Sequence, residues 1–258
     1  MNSIPFEKGL PIFGNLFSYS RDRLCWLSNM SRKHGEVFKV KIGNKYLYVL
    51  VGKDYIRHVM TKKSMNYIKK TNFELIFGKS LFTTNGENWK RQRKLLTPLM
   101  NIKYLENCLP MMSRIIDKNL ESFVKSQVNG KNIRDLFSKI TFDIIMSCVI
   151  GLNYENDYED IDKGLGVLTR FVTREKYAVA KIPEIFDVEK REFDHYLKKL
   201  NSVIYGSIKN TNKKSLSFSF MNQLLEFRDK NPSESISDEF IRDNIVTVMF
   251  AGYETSAL

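Results

Sequence analysis

Apolar residues recur along most of this chain at three- and four-residue spacing, and one short region alternates instead. The alternating runs are 37–42 and 45–51, joined by Gly43-Asn44, a pair suited to a two-residue hairpin turn. A small sheet is expected there. Before it, Leu10-Pro11-Ile12-Phe13-Gly14-Asn15-Leu16 is punctuated by proline and glycine and reads as a covering segment without regular structure. Ser20 is placed to cap a helix reaching His34, with Leu24, Leu27 and Met30 at helical spacing and Gly35 as the stop. A short helix over 54–60 precedes an irregular stretch, 61–86, containing Phe73, Leu75, Ile76, Phe77, Leu81 and Phe82. A loop of this length and composition lines or lids something. Helical periodicity then predicts segments at 87–97, 104–127, 133–150, 157–176, 187–209 and 218–229. Pro98 stops the first, and Gly151 ends the third, whose stripe is Ile133, Leu136, Phe137, Ile140, Ile144, Ile145 and Cys148. The expected fold is mainly α with a small N-terminal sheet: a single domain over 1–258, with a lead-in at 1–19, a sheet region at 36–51 and a helical region at 86–258.

The last segment, 237–258, has the best-specified start. Ser237 is a good N-cap, Asp238 and Glu239 place negative charge in the first turn, and Ile236 can staple onto Ile241. From Ile245 to Gly252 only Thr247 is polar, the composition of a helix buried on every side. Within it, Ala251-Gly252-Tyr253-Glu254-Thr255-Ser256 puts a glycine and a carboxylate where packing alone would favour Leu or Ala. Glycine costs about 1 kcal/mol against alanine in a helix interior, and a buried carboxylate needs a partner. The Ala251-Gly252 step leaves room for a flat ligand, while Glu254 and Thr255 offer groups for proton transfer beside it. The alternative is a small-residue crossing point with the hydroxyl bonded back to its own helix. In 87–97, Trp89 and Arg93 lie one turn apart on one face, an indole N–H and a guanidinium suited to a carboxylate on an otherwise apolar molecule. The alternative there is a core tryptophan with an arginine snorkelling beside it.

The charge of +12 implies attraction to acidic partners, but the basic residues form no run, which weighs against nucleic acid. Cys25, Cys108 and Cys148 show no CxxC spacing and no zinc pattern; they suit reduced thiols in a cytoplasmic protein. Residues 1–10 contain Pro5 and Glu7 and no apolar run, so neither a signal peptide nor a membrane anchor is expected there. The apolar linker 178–186 suits a pocket lid, a peripheral membrane contact or a turn packed on its neighbours.

The Ala251-Gly252-Tyr253-Glu254-Thr255 run, with Asp243-Asn244 before it, resembles the oxygen-activating helix of the cytochrome P-450 family, the haem-thiolate monooxygenases. Trp89-x-x-x-Arg93 is similar to that family's propionate-binding motif, and Thr141-Phe142-Asp143-Ile144-Ile145 to its fifth major helix. The order of elements agrees throughout. The resemblance implies a haem cofactor, an apolar small-molecule substrate and an acidic redox partner met by Lys90, Arg91 and Lys94. It further implies Trp89 and Arg93 on the propionates, Ala251 and Gly252 beside the haem, and Thr255 with Glu254 in proton delivery. The family's Glu-x-x-Arg helix and Phe-x-x-Gly-x-Arg-x-Cys thiolate loop are not found here, so a truncated P-450 fold, inactive alone, is expected, with apolar surface of the final helix uncovered. A helical binding or scaffold protein, or a decayed remnant of the family, is the alternative.

Overall fold

The computed structural model describes residues 3–125, 133–151, 158–177, 187–210 and 218–257. It divides into two compact units, Met1–Ile68 and Lys69–Leu258.

In the first unit, strands β1 (Phe6–Glu7), β2 (Val37–Ile42) and β3 (Lys45–Leu50) form one sheet in that order, β1 parallel and β3 antiparallel to β2. The hairpin has the expected register: Ile42 opposes Lys45, and Gly43 takes the turn at φ +57°. Phe38 and Val40 are fully buried while Lys39 and Lys41 are half-buried, the period of two expected of a sheet with one packed face. The lead-in is more regular than its prolines and glycines suggest, since Phe6 and Glu7 join the sheet and Leu16–Arg21 forms helix α1. Helix α2 (Arg23–His34) starts after Ser20 because Asp22 is extended and its carboxylate accepts the Cys25 N–H at 3.0 Å. Leu24 is 80% exposed, so 24, 27 and 30 do not form one buried stripe. Helix α3 (Lys53–Arg57) and a π-helical turn (His58–Lys62) follow.

In the second unit, part of the stretch expected to be irregular folds as α4 (Glu74–Phe77), which sends Ile76 and Phe77 into the core. Helix α5 (Gly86–Leu96) passes into a 3-10 turn at Thr97–Met100, where Pro98 lacks the N–H that an α-helix would use. Helix α6 (Ile102–Lys125) runs through Pro110. Helix α7 (Ile133–Ile145) continues as a π-helical turn, Met146–Ile150, ended by Gly151 at φ +86°. Ile133 and Phe137 are exposed although they belong to the expected stripe. The buried side is set by two neighbours, α6 and the final helix, and takes in Leu136, Ile140, Phe142 and Met146. Helices α8 (Tyr158–Tyr177) and α9 (Val188–Asn210) pack together; Arg174 of α8 donates to both oxygens of Asp187 at 2.9 and 2.6 Å, and Asp187 caps α9 through the Lys190 N–H at 3.1 Å. The linker 178–186 lies outside the described residues. Ser219 caps α10 (Phe220–Lys230).

Helix α11 (Asp238–Ala257) is capped by Ser237, whose hydroxyl accepts the Phe240 N–H at 3.1 Å, with Ile236 and Ile241 both buried. Its buried length is enclosed by α4, α7, α9, α10 and the π-helical turn. The expectation that its apolar surface is uncovered is therefore corrected: these elements cover Ile241, Ile245, Val246, Met249 and Phe250. Open apolar surface lies instead on α6, at Ile102, Leu105, Leu109, Leu120 and Val124.

Candidate functional site

Two helices carry the residues singled out by sequence, and an ordered loop joins them. Asp243 of α11 accepts the Lys79 N–H at 2.7 Å, and Asn244 accepts the Leu81 N–H at 3.0 Å. From the other side, Gln92 of α5 donates to the Lys79 carbonyl at 2.8 Å. The loop is also tied internally: the Thr83 hydroxyl donates to the Gly78 carbonyl at 2.7 Å and accepts the Ser80 N–H at 2.9 Å. Gly78 is at φ +53°, and a Cβ there would fall 2.2 Å from a carboxylate oxygen of Asp243. Only glycine fits. Arg242 steadies the anchoring carboxylate at 2.9 Å and bonds Asn201 at 2.7 Å. Asp243-Asn244, noted in the sequence as part of a signature, thus acts as a clamp holding the 78–84 loop against α11.

On α5, Trp89 is half-buried and Arg93 exposed, one turn apart. Among the described residues neither the indole N–H nor the guanidinium has a hydrogen bond or ion pair. The Lys69 ammonium lies 5.9 Å from the Trp89 ring and donates to the carbonyls of Phe82 at 3.1 Å and Leu81 at 3.4 Å. Burial lowers its pKa. Asn85 fixes Lys69 by pairing with its backbone N–H at 2.7 Å and its carbonyl at 3.0 Å. Lys69 and Gln92 were not singled out by sequence reasoning, and residues 78–84 entered it only as part of the apolar stretch 61–86; the signal available for the loop's own order was a glycine followed closely by hydroxyl residues. On the rest of α5, Lys90 pairs with Glu87 at 2.7 Å and Arg91 bonds Glu234, while Lys94 is exposed.

At the far end of α11, Ala251 and Thr255 are exposed, one turn apart, and the Thr255 hydroxyl donates to the Ala251 carbonyl at 2.6 Å. Gly252 faces α7, where a Cβ would meet Ile145 Cδ1 at 2.4 Å. Tyr253 is buried, edge-on to Phe142 with ring centroids 5.9 Å apart, and its hydroxyl bonds the Asp162 carboxylate of α8. The close approach of Ile145 at Gly252 and the anchoring of Tyr253 set the rotation of the helix end and turn Ala251 and Thr255 outward. The side chain of Glu254 lies outside the described residues. The 78–84 loop links helices α5 and α11 through Gln92, Asp243 and Asn244, and among the described residues no hydrogen bond joins the Trp89–Arg93 pair to the Ala251–Thr255 pair.

Cys108 and Cys148 are buried, and Cys25 is exposed. Burial, reinforced by the neighbouring Cys108, pushes the Cys148 thiol up to about 12. Tyr104, whose hydroxyl donates to the Cys148 carbonyl at 2.8 Å, is likewise pushed well above its ordinary range by burial. Such a thiol holds its proton and is a poor metal ligand.

The sequence profile of the cytochrome P450 family matches residues 4–258. The chain is 24% identical to cytochrome P450 3A41 of Mus musculus, covering 98% of this chain and 55% of that protein. It is 25% identical to the self-sufficient cytochrome P450 monooxygenase CYP505E5 of Aspergillus kawachii, covering 98% of this chain and 25% of the other. Among solved structures, the retinoic acid bound cyanobacterial CYP120A1 superposes with a TM-score of 0.74 at 20% identity, covering 98% of this chain and 57% of that one. The chain thus spans about half the length of curated relatives such as P450 3A41, and the region that carries the family's haem thiolate is not covered by it. It shares their fold of many helices beside a small sheet, and it belongs to the cytochrome P450 family, whose cofactor is haem.

Proposed function

We propose that this chain forms part of a haem monooxygenase acting on an apolar small molecule, with Trp89 and Arg93 as its carboxylate-binding pair. The observation that carries this is that, among the described residues, neither side chain of this pair on one face of α5 has a hydrogen-bond partner, with the Lys69 ammonium near the Trp89 ring. An indole N–H and a guanidinium fit a propionate through charge-assisted hydrogen bonds. Haem, when bound, supplies the oxygen activation that side chains cannot perform. Ala251 offers a small open surface for a flat ring, and Gly252 keeps α11 close to α7. In this reading the Thr255 hydroxyl leaves the Ala251 carbonyl to pass a proton outward from the helix, and Glu254 replenishes it. Exposed Lys94 suits an acidic electron-donating partner, because Lys90 and Arg91 already meet Glu87 and Glu234.

The 258 residues by themselves are expected to hold haem without ligation by Cys108 or Cys148, since both are buried and burial pushes the Cys148 thiol up to about 12, and without turnover. Haem titration followed by absorption in the ferric and the reduced, carbon monoxide-bound states tests both statements. Arg93→Ala is expected to weaken haem binding by about tenfold and Trp89→Phe by less, the scale of one charged and one neutral hydrogen bond. Superimposable titrations for parent and both variants would remove the pair from the site. A thiolate-type Soret band from the unmodified chain would show that one of its own cysteines ligates iron.

A further inference from the structure

Helix α6 carries apolar residues on two sides. The inner side turns Tyr104 and Cys108 into the core, with Met111 and Met112 packed against it. On the outer side Ile102, Leu105, Leu109, Ile116, Leu120 and Val124 are all exposed, Ile102 to 75% and Val124 to 72%. Together with exposed Ser113 they follow the spacing 3-4-4-3-4-4, an 11-residue unit repeated twice. Eleven residues are close to three whole turns of an α-helix, so the line drifts little and runs nearly straight for about 33 Å, within a sector of about 100°. The core needs no such second stripe. A helix held by one face ordinarily presents polar residues on the other.

The stripe is close to symmetric about Ser113. Ile102 and Val124 lie 11 residues to either side of it, Leu105 and Leu120 eight and seven, Leu109 and Ile116 four and three. A two-fold axis at Ser113 therefore lays the stripe antiparallel on itself, Ile102 against Val124 of the second copy, Leu105 against Leu120 and Leu109 against Ile116. Serine, the smallest side chain in the line, falls where the two helices meet. Antiparallel packing also sets the two helix dipoles head to tail. Charge points the same way. Helix α6 holds four basic and three acidic side chains, near neutrality on a chain of net charge +12. It lacks the excess charge that would select an acidic protein or an anionic surface, and it adds little repulsion against its own copy. We propose that the outer face of α6 is an interface between two copies of this chain, an antiparallel helix pair about a two-fold axis at Ser113. A footprint of about 33 Å by the roughly 10 Å width of a helix stands at the small end of specific interfaces, so monomer and dimer exchange at micromolar concentration. In dilute solution the face is open. The pairing uses neither Trp89 nor Thr255 and does not depend on haem.

Sedimentation equilibrium of the whole chain tests the proposal. Between about 1 and about 200 μM the mass is expected to rise from 30.2 kDa to twice that value, and at lower concentration when salt screens the repulsion between two basic chains. Leu109→Lys puts a charge into the seam and is expected to weaken the pairing by at least about tenfold. In a Cys25→Ser background, Ser113→Cys is expected to give a covalent dimer with diamide, which takes up the two electrons and two protons lost by the thiols. Asn107→Cys, on another exposed side of α6, is expected to stay uncoupled under the same treatment. A monomer at every concentration, a dimer indifferent to Leu109→Lys, or equal cross-linking from positions 107 and 113 would overturn the proposal. So would a monomer that partitions onto phosphatidylcholine vesicles through Leu109, since the face would then belong to lipid. Circular dichroism of each variant separates loss of pairing from loss of fold.

Discussion

At the scale of single residues, the position most narrowly determined is Gly78. Its positive φ and the Asp243 carboxylate occupying the space a Cβ would need are two independent obstacles to any other residue. Gly78→Ala is expected to destabilise the protein by about 2–4 kcal/mol, combining backbone strain with displacement of a part-buried, paired carboxylate. Urea unfolding measures this, and a loss under about 0.5 kcal/mol would show that the clamp yields freely. The sequence displayed Asp243-Asn244 and Gly78 separately but not their meeting, because the bonds joining them span 164 and 163 residues. Trp89 and Arg93 were legible because helical spacing alone places them on one face. Lys69 was not, since its approach to the Trp89 ring depends on Asn85 holding its backbone.

At the scale of elements, the crossing of α11 over α7 depends on the missing side chain at Gly252. Gly252→Ala would bring a methyl group to 2.4 Å from Ile145 Cδ1, the mobile end of a side chain, so a cost of about 1 kcal/mol is expected. Ile145→Val in the same chain is expected to recover most of that loss, and the double-mutant cycle in denaturant measures the coupling. The pairing of α8 with the start of α9 is acid-sensitive. Arg174 holds the Asp187 carboxyl below its ordinary value of 3.8. A depressed carboxyl contributes stability above its unfolded pKa and loses it as pH falls through the folded one. Unfolding midpoints should therefore fall below about pH 4, and part of that acid limb should be absent in Asp187→Asn. Identical acid limbs in parent and variant would assign the acid sensitivity to other carboxylates, such as Glu7, which is lowered by Lys33 and His34.

For the molecule as a whole, what matters is which apolar surface is covered. Helix α11 is enclosed by elements of its own unit, while α6 leaves Ile102, Leu105, Leu109, Leu120 and Val124 open. The chain is therefore expected to bind a hydrophobic dye under native conditions, and Leu109→Lys with Leu120→Glu is expected to reduce the fluorescence markedly. Unchanged fluorescence in that double variant would place the dye elsewhere. The order and type of most elements, the hairpin turn, the Ser237 cap and the candidate residues on α5 and α11 follow from the sequence by itself. Local sterics, capping and periodicity act over a few residues and leave their pattern in the chain. Only the tertiary structure decided that Asp22 starts α2, that α4 folds inward, that Ile133 and Phe137 stay outside, and that Gly252 faces Ile145 while Ala251 and Thr255 face out. A helix with apolar residues all round has no preferred inner face until its neighbours, brought from distant parts of the chain, occupy one.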